Sequence, residues 1–168
     1  MIQEIKNKII KEFNTLSFIS KAFPMLTDWG VEDFSLTIHS LGCNYLSALG
    51  RSLDFWAMSE YPVRLLKNGS GSIRPDAVWW KKPDRDIILL GEFERFDPTN
   101  KNKVVEKAKN LIQAHYEVGD RPRILVLMVW TMAGTDLSFL KSVQKIANEG
   151  FRTNNGKLIP GIGSSCKF

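Results

Sequence analysis

The 168-residue chain has only two cysteines and two histidines. Cys43 and Cys166 lack the paired spacing of a metal knuckle and are too few for a disulfide framework. His39 and His115 lie far apart in sequence, which speaks against a histidine-based zinc site. No apolar run is long enough to cross a bilayer; the longest, residues 124–133, is about half the required length. The first residues carry early charges and no apolar signal core, so a cytoplasmic protein without a membrane partner is the expectation. No internal repeat or low-complexity segment occurs, and a reading as an α/β domain acting on a small phosphorylated ligand has no glycine-rich phosphate loop behind it.

What is present is ordinary for a folded domain: 43% hydrophobic and 24% charged residues, with a net charge of +5. The pI of about 9.2 leans toward polyanionic partners without the dense basic stripe of a DNA-coating protein. One domain is expected, with a helical N-terminal extension over 1–41, a core over 42–130 and a C-terminal helix and tail over 131–168.

Periodicity predicts an amphipathic helix over 3–14, an aromatic-rich irregular segment over 15–41 holding Phe18, Phe23, Trp29 and Phe34, and a helix over 43–55. Strands follow over 60–66, 76–80 and 87–96, separated by the 67–72 glycine-serine cluster and the 81–86 hairpin connection. A helix over 101–118 ends at Gly119-Asp120-Arg121-Pro122. The unbroken apolar run at 124–130 reads as a strand buried on both faces, and a last helix covers 136–148 before a glycine-rich tail. The order αβββαβα describes an α/β domain: an antiparallel meander feeding a parallel crossover, with a central mixed sheet of four or five strands between helices.

The chemistry concentrates between Arg74 and Tyr116. Arg74-Pro75-Asp76 is followed, 15 residues on, by Glu92-Phe93-Glu94-Arg95. Side chains two apart on a strand share a face, so Glu92 and Glu94 sit together beyond apolar Ile88 and Leu90. Like charges on one strand face repel unless a cation compensates them. Asp76, Glu92 and Glu94 therefore form a candidate oxygen-rich site for a hard divalent cation. The Phe93 carbonyl is a further candidate ligand and Glu60 a fourth acid. Each residue also has a plainer reading: Asp76 as a turn residue after Pro75, Glu60 as an exposed strand start, His115 as a packed histidine on an apolar helix face, and Trp79 and Trp80 as core.

Pro75-Asp76, the Glu92/Glu94 pair, the hairpin between them and the following helix and apolar strand resemble the PD-(D/E)XK nuclease superfamily, over residues 42–130. The resemblance implies a restriction-endonuclease-like fold and a Mg²⁺-dependent nuclease, with Mn²⁺ able to substitute. It implies an endonuclease cutting DNA, in a family whose members often act as homodimers. Asp76 and Glu92 would bind metal and Glu94 would position water. Two departures stand out. Glu94 occupies the place of the motif lysine, and Lys109 on the next helix is the expected replacement, with Gln113 and Tyr116 on the same stripe approaching substrate. Arg95 points away from Glu94. Asn44 stands where many members carry an acid on the helix before the sheet. The alternative is a binding module for nucleic acid or a protein, with the same fold and no catalysis.

Overall fold

The nine-residue strand that carries Glu92 and Glu94 is the axis of the molecule. In a computed structural model describing residues 2–28, 35–65, 71–100, 102–119, 121–131 and 138–162, this strand is flanked on both sides and covered on both faces. Trp29, Phe34, the centre of the glycine-serine loop, Asp120, the start of the 136–148 helix and Cys166 lie outside the described residues.

In chain order, α1 (Ile2–Thr15), α2 (Ser17–Ala22), a 3₁₀ turn (Pro24–Leu26) and α3 (Ser35–Ser52) precede the sheet. Then come β1 (Trp56–Met58), β2 (Val63–Arg64), β3 (Ser72–Ile73), β4 (Ala77–Trp80) and β5 (Ile87–Arg95). The chain continues through α4 (Asn102–Glu117), β6 (Ile124–Trp130), α5 (Phe139–Glu149), β7 (Phe151–Arg152) and β8 (Leu158–Ile159). The main sheet has the order β1-β4-β5-β6, with β1, β4 and β5 antiparallel and β5 parallel to β6. The protein is thus α/β, with a mixed four-stranded sheet flanked by helices.

Three expectations need correction. The first sheet strand is β1, not 60–66; β2 within that span pairs instead with β3 as a small separate ribbon, set off from β1 by the left-handed turn at Glu60 (φ 52°). The helix expected over 43–55 begins eight residues earlier, at Ser35. The apolar strand β6 is not buried throughout: it is a sheet edge, and residues beyond Leu125 are only half covered.

The two faces of β5 bury different cores. Leu89 and Phe93 pack with Trp79, Leu46, Leu49 and Tyr45 on the α3 side. Leu90 packs with Val78, Leu111, Ala114 and Leu125 on the α4 side. The N-terminal helices belong to the first core through Ile9, Ile19 and Leu26, and the Trp130 indole N–H donates to the Leu26 carbonyl at 2.9 Å.

Glycine inside a helix costs about 1 kcal/mol relative to alanine. Two glycines in α3 are explained by close approach to the sheet. A Cβ on Gly42 would fall 2.3 Å from the Phe93 ring, and one on Gly50 would fall 2.7 Å from Trp79. The Trp79 indole N–H donates to the Leu46 carbonyl at 3.0 Å and fixes the same crossing. This close approach brings the N-terminal half of α3 over the end of β5.

Candidate functional site

Asp76 immediately precedes β4, and Ala77 pairs with Gly91, so the antiparallel register sets Asp76 beside Glu92. The two carboxylates are 4% and 1% exposed, although Asp and Glu are rarely buried unless paired. Asp76 Oδ2 accepts the Phe93 backbone N–H at 2.8 Å. Phe93 therefore enters the site through its amide N–H, while its ring lies buried beneath Gly42.

The cation that compensates these acids is Lys107. Its ammonium donates to Asp76 Oδ2 at 2.9 Å and to Glu92 Oε2 at 2.7 Å. Burial, then the neighbouring Asp76 charge, pushes the Glu92 carboxyl up to about 8 against the opposing pull of Lys107, and a hydrogen bond shared with Asp76 favours the protonated form. Burial alone would lower the Lys107 ammonium, but Glu92 and Asp76 outweigh it and raise it above the ordinary lysine range. At neutral pH Lys107 is therefore a cation, and the Glu92 carboxyl largely keeps its proton. A water-poor carboxyl of this kind can take up or release a proton near pH 8, and a divalent ion would compete for the oxygens of both acids.

Glu94 faces the same side as Glu92, one step nearer the strand end; it is 7% exposed, with Lys103 Nζ 3.8 Å from its Oε1. From α3, His39 and Cys43 reach the other side of Asp76. His39 Nε2 lies 3.7 Å from Asp76 Oδ1 and 3.6 Å from the Cys43 sulfur. Cys43 is buried, and burial followed by the Asp76 charge pushes its thiol up to about 12.

The structure thus brings together Asp76, Glu92, Phe93 and Glu94 from the expected set, and separates the rest. Lys109 is not at the acids. It pairs with Glu106 at 2.7 Å and, with Gln113, lines a polar groove of about 510 Å³ that also involves Asn110 and Arg152. Residues 107 and 109 differ by about 200° around a helix, so only one of them can face the acids. Tyr116 packs toward Ile112 and Ile159, with Lys157 over its ring. Asn44 is exposed, because Cys43 and His39 occupy the α3 face that meets Asp76. Glu60 is exposed in the turn after β1 and contributes only a distant charge felt by Cys43. His115 is buried, its Nε2 3.2 Å from the Pro122 carbonyl, and Trp79 is core.

Lys107, His39 and Cys43 are the site residues that sequence reasoning missed. A signal for the early turns of α4, though not for Lys107 over Lys109, exists. The helix runs back from the acid-bearing end of β5, so only its first turns stay near the acids. Lys107 lies about 8 Å along the axis from the helix start, whereas Gln113 and Tyr116 lie about 17 and 21 Å along it. Setting aside a histidine-based zinc site because the two histidines lie far apart passed over His39 and Cys43, which stand one helical turn apart beside Asp76. No protein-family model, curated protein or solved structure matches this chain.

Proposed function

We propose that the protein is a divalent-cation-dependent phosphodiesterase that cleaves nucleic acid, with DNA the expected substrate, on a restriction-endonuclease-like fold. The observation that carries this reading is the pair of buried carboxylates, Asp76 and Glu92, held side by side at a sheet end by one lysine. The donor set fits Mg²⁺ or Mn²⁺, which prefer carboxylate oxygens and keep water and phosphate oxygens as further ligands. Asp76 and Glu92 would hold the ion. When bound, it supplies charge stabilisation at the phosphoryl group and lowers the pKa of a coordinated water.

The chain's own groups supply the rest. Lys107 stands where the superfamily's lysine chemistry is needed, and takes over the role that Glu94, at the motif position, cannot fill. Its ammonium is anchored on both acids and is positioned to neutralise charge developing at a phosphate brought to them. Glu94, weakly paired with the exposed Lys103, is the carboxylate best placed to orient water. The net charge of +5 favours approach of a polyanion. Lys109, Gln113 and Arg152 lie around the other flank of α4, so any contact they make with substrate is remote from the reacting bond.

A second reading is favoured by one specific observation: Lys107 already compensates both carboxylates, as a purely structural ion cluster would. That reading is a nucleic-acid- or partner-binding module with the same fold and no turnover. Incubation with supercoiled plasmid and labelled single strands in Mg²⁺, Mn²⁺ and EDTA separates the two. The hydrolase reading expects metal-dependent nicking that Asp76→Ala and Lys107→Met abolish and Lys109→Met leaves within a few-fold. Folded protein that cleaves under no metal, yet binds DNA with steep salt dependence, would establish the module instead.

A further inference from the structure

We propose that His39, Cys43 and Asp76 form a second metal site, built for a borderline-soft divalent ion of the Zn²⁺ class rather than for Mg²⁺. His39 and Cys43 are one helical turn apart on α3, so their side chains project together from one face. Asp76 meets them from the sheet, and one ligand atom from each residue lies within 4.8 Å of the other two.

Both separations from His39 are close to those of tetrahedral coordination. With Zn–S of about 2.3 Å and Zn–N of about 2.0–2.1 Å, a tetrahedral angle separates nitrogen and sulfur by about 3.6 Å, and nitrogen and oxygen by about 3.4 Å. The observed separations are 3.6 Å for His39 Nε2 to Cys43 Sγ and 3.7 Å for His39 Nε2 to Asp76 Oδ1. A thiolate and an imidazole select Zn²⁺-like ions over hard cations, which prefer all-oxygen shells.

Asp76 is oriented for the role. The Phe93 N–H and Lys107 both engage its Oδ2, which leaves Oδ1 on the His39 side. Such an outer hydrogen bond to a ligating carboxylate is what holds it in place for a metal. The thiol and the carboxylate are buried, whereas the His39 side chain is 36% exposed, so access and a fourth ligand such as water come from the histidine side. The inference stands without the hydrolase reading; the two proposed sites share only Asp76. Zn²⁺ binding expels the Cys43 proton, since the thiolate is the ligand.

The test is optical and needs no turnover. Reduced, chelator-stripped full-length protein is titrated with Co²⁺ and then with Zn²⁺. One equivalent of Co²⁺ is expected to produce a thiolate-to-metal charge-transfer band, which Zn²⁺ then bleaches. Cys43→Ser should abolish the band, whereas Cys166→Ser and Glu92→Gln should retain it. His39→Gln, at a half-exposed position where folding is least at risk, should weaken binding by about tenfold or more. Melting curves of each variant establish that it is folded, and His39→Gln alone decides the matter should Cys43→Ser not fold. Binding without the band, a band that depends on Cys166, or unchanged affinity in His39→Gln would each overturn the site.

Discussion

Removing the Lys107 ammonium should cost far more than removing the Lys109 ammonium two residues away. In Lys107→Met the aliphatic stem is kept and the charge is lost, leaving Asp76 and Glu92 buried side by side with no lysine bonded to them among the described residues. Breaking a buried ion pair from one side costs about 3–5 kcal/mol. Lys109 pairs with a largely exposed Glu106, where the loss should stay within about 1 kcal/mol. The Lys107→Met loss should also depend on pH. Without the ammonium, Glu92 keeps its proton in the folded state to higher pH than the wild type does. Wherever the folded variant holds one proton more than the unfolded chain, stability falls by about 1.4 kcal/mol per pH unit as pH rises. Urea midpoints at pH 5.5 and 8.5 for wild type, Lys107→Met and Lys109→Met measure both effects. If the 8.5 sample is unfolded, Glu92→Gln combined with Lys107→Met should restore it. Equal midpoints for the two lysine variants, or a Lys107→Met loss that does not grow with pH, would refute the reasoning.

Other outcomes follow from the same geometry. Because Glu92 is raised from 4.5 to about 8, the folded state binds the extra proton between those values, so wild-type stability should decline from pH 5 to pH 8; Glu92→Gln should flatten that decline in urea titrations. Gly42→Ala drives a methyl to 2.3 Å from the Phe93 ring and should cost about 1–3 kcal/mol, roughly 2–12 °C in Tm by calorimetry. The triple variant Asp76→Asn, Glu92→Gln, Lys107→Met replaces the charged set by neutral groups of similar shape, so its midpoint should match or exceed the wild type while no cleavage remains. A triple variant as unstable as Lys107→Met alone would show that the charges hold the fold together.

Where the sequence was legible, one physical pattern dominated. Alternation in β5 marked Glu92 and Glu94 as sharing a face beyond Leu90, and the early turns of α4 carry the lysines that meet them. Helical spacing marked α1, α4 and α5 because each buries one stripe against the sheet or a neighbouring helix. What failed was information held between elements. The apolar stripe of α4 has two polar flanks, and periodicity does not say which one the packing turns toward β5; Lys109 and Lys107 are equivalent until that rotation is set. Asn44 and Cys43 are neighbours in sequence, and only the Gly42–Phe93 approach decides which of them meets Asp76. The 60–66 strand failed for a local reason: a left-handed residue at Glu60 turns the chain after β1, and Val63 and Arg64 pair with β3 instead of the main sheet.

The energetics of the acid cluster bear on what it is for. A buried ion triad is a poor way to stabilise a fold, because desolvating three charges offsets most of their mutual attraction and an apolar set of similar volume often does as well or better. Here the cost is compounded: two carboxylates share one lysine, and one of them is pushed toward protonation at neutral pH. Glu94 adds a third nearly buried acid whose nearest described cation is 3.8 Å away on an exposed lysine. On the far side, Asp76 turns its remaining oxygen toward an imidazole and a thiol, neither of which an aspartate needs for packing. Six titratable groups, His39, Cys43, Asp76, Glu92, Glu94 and Lys107, therefore converge on one sheet end from α3, β5, α4 and the β4 entrance. An arrangement this costly to fold fits groups that serve to bind a cation and move protons, and the triple variant separates that explanation from a structural one.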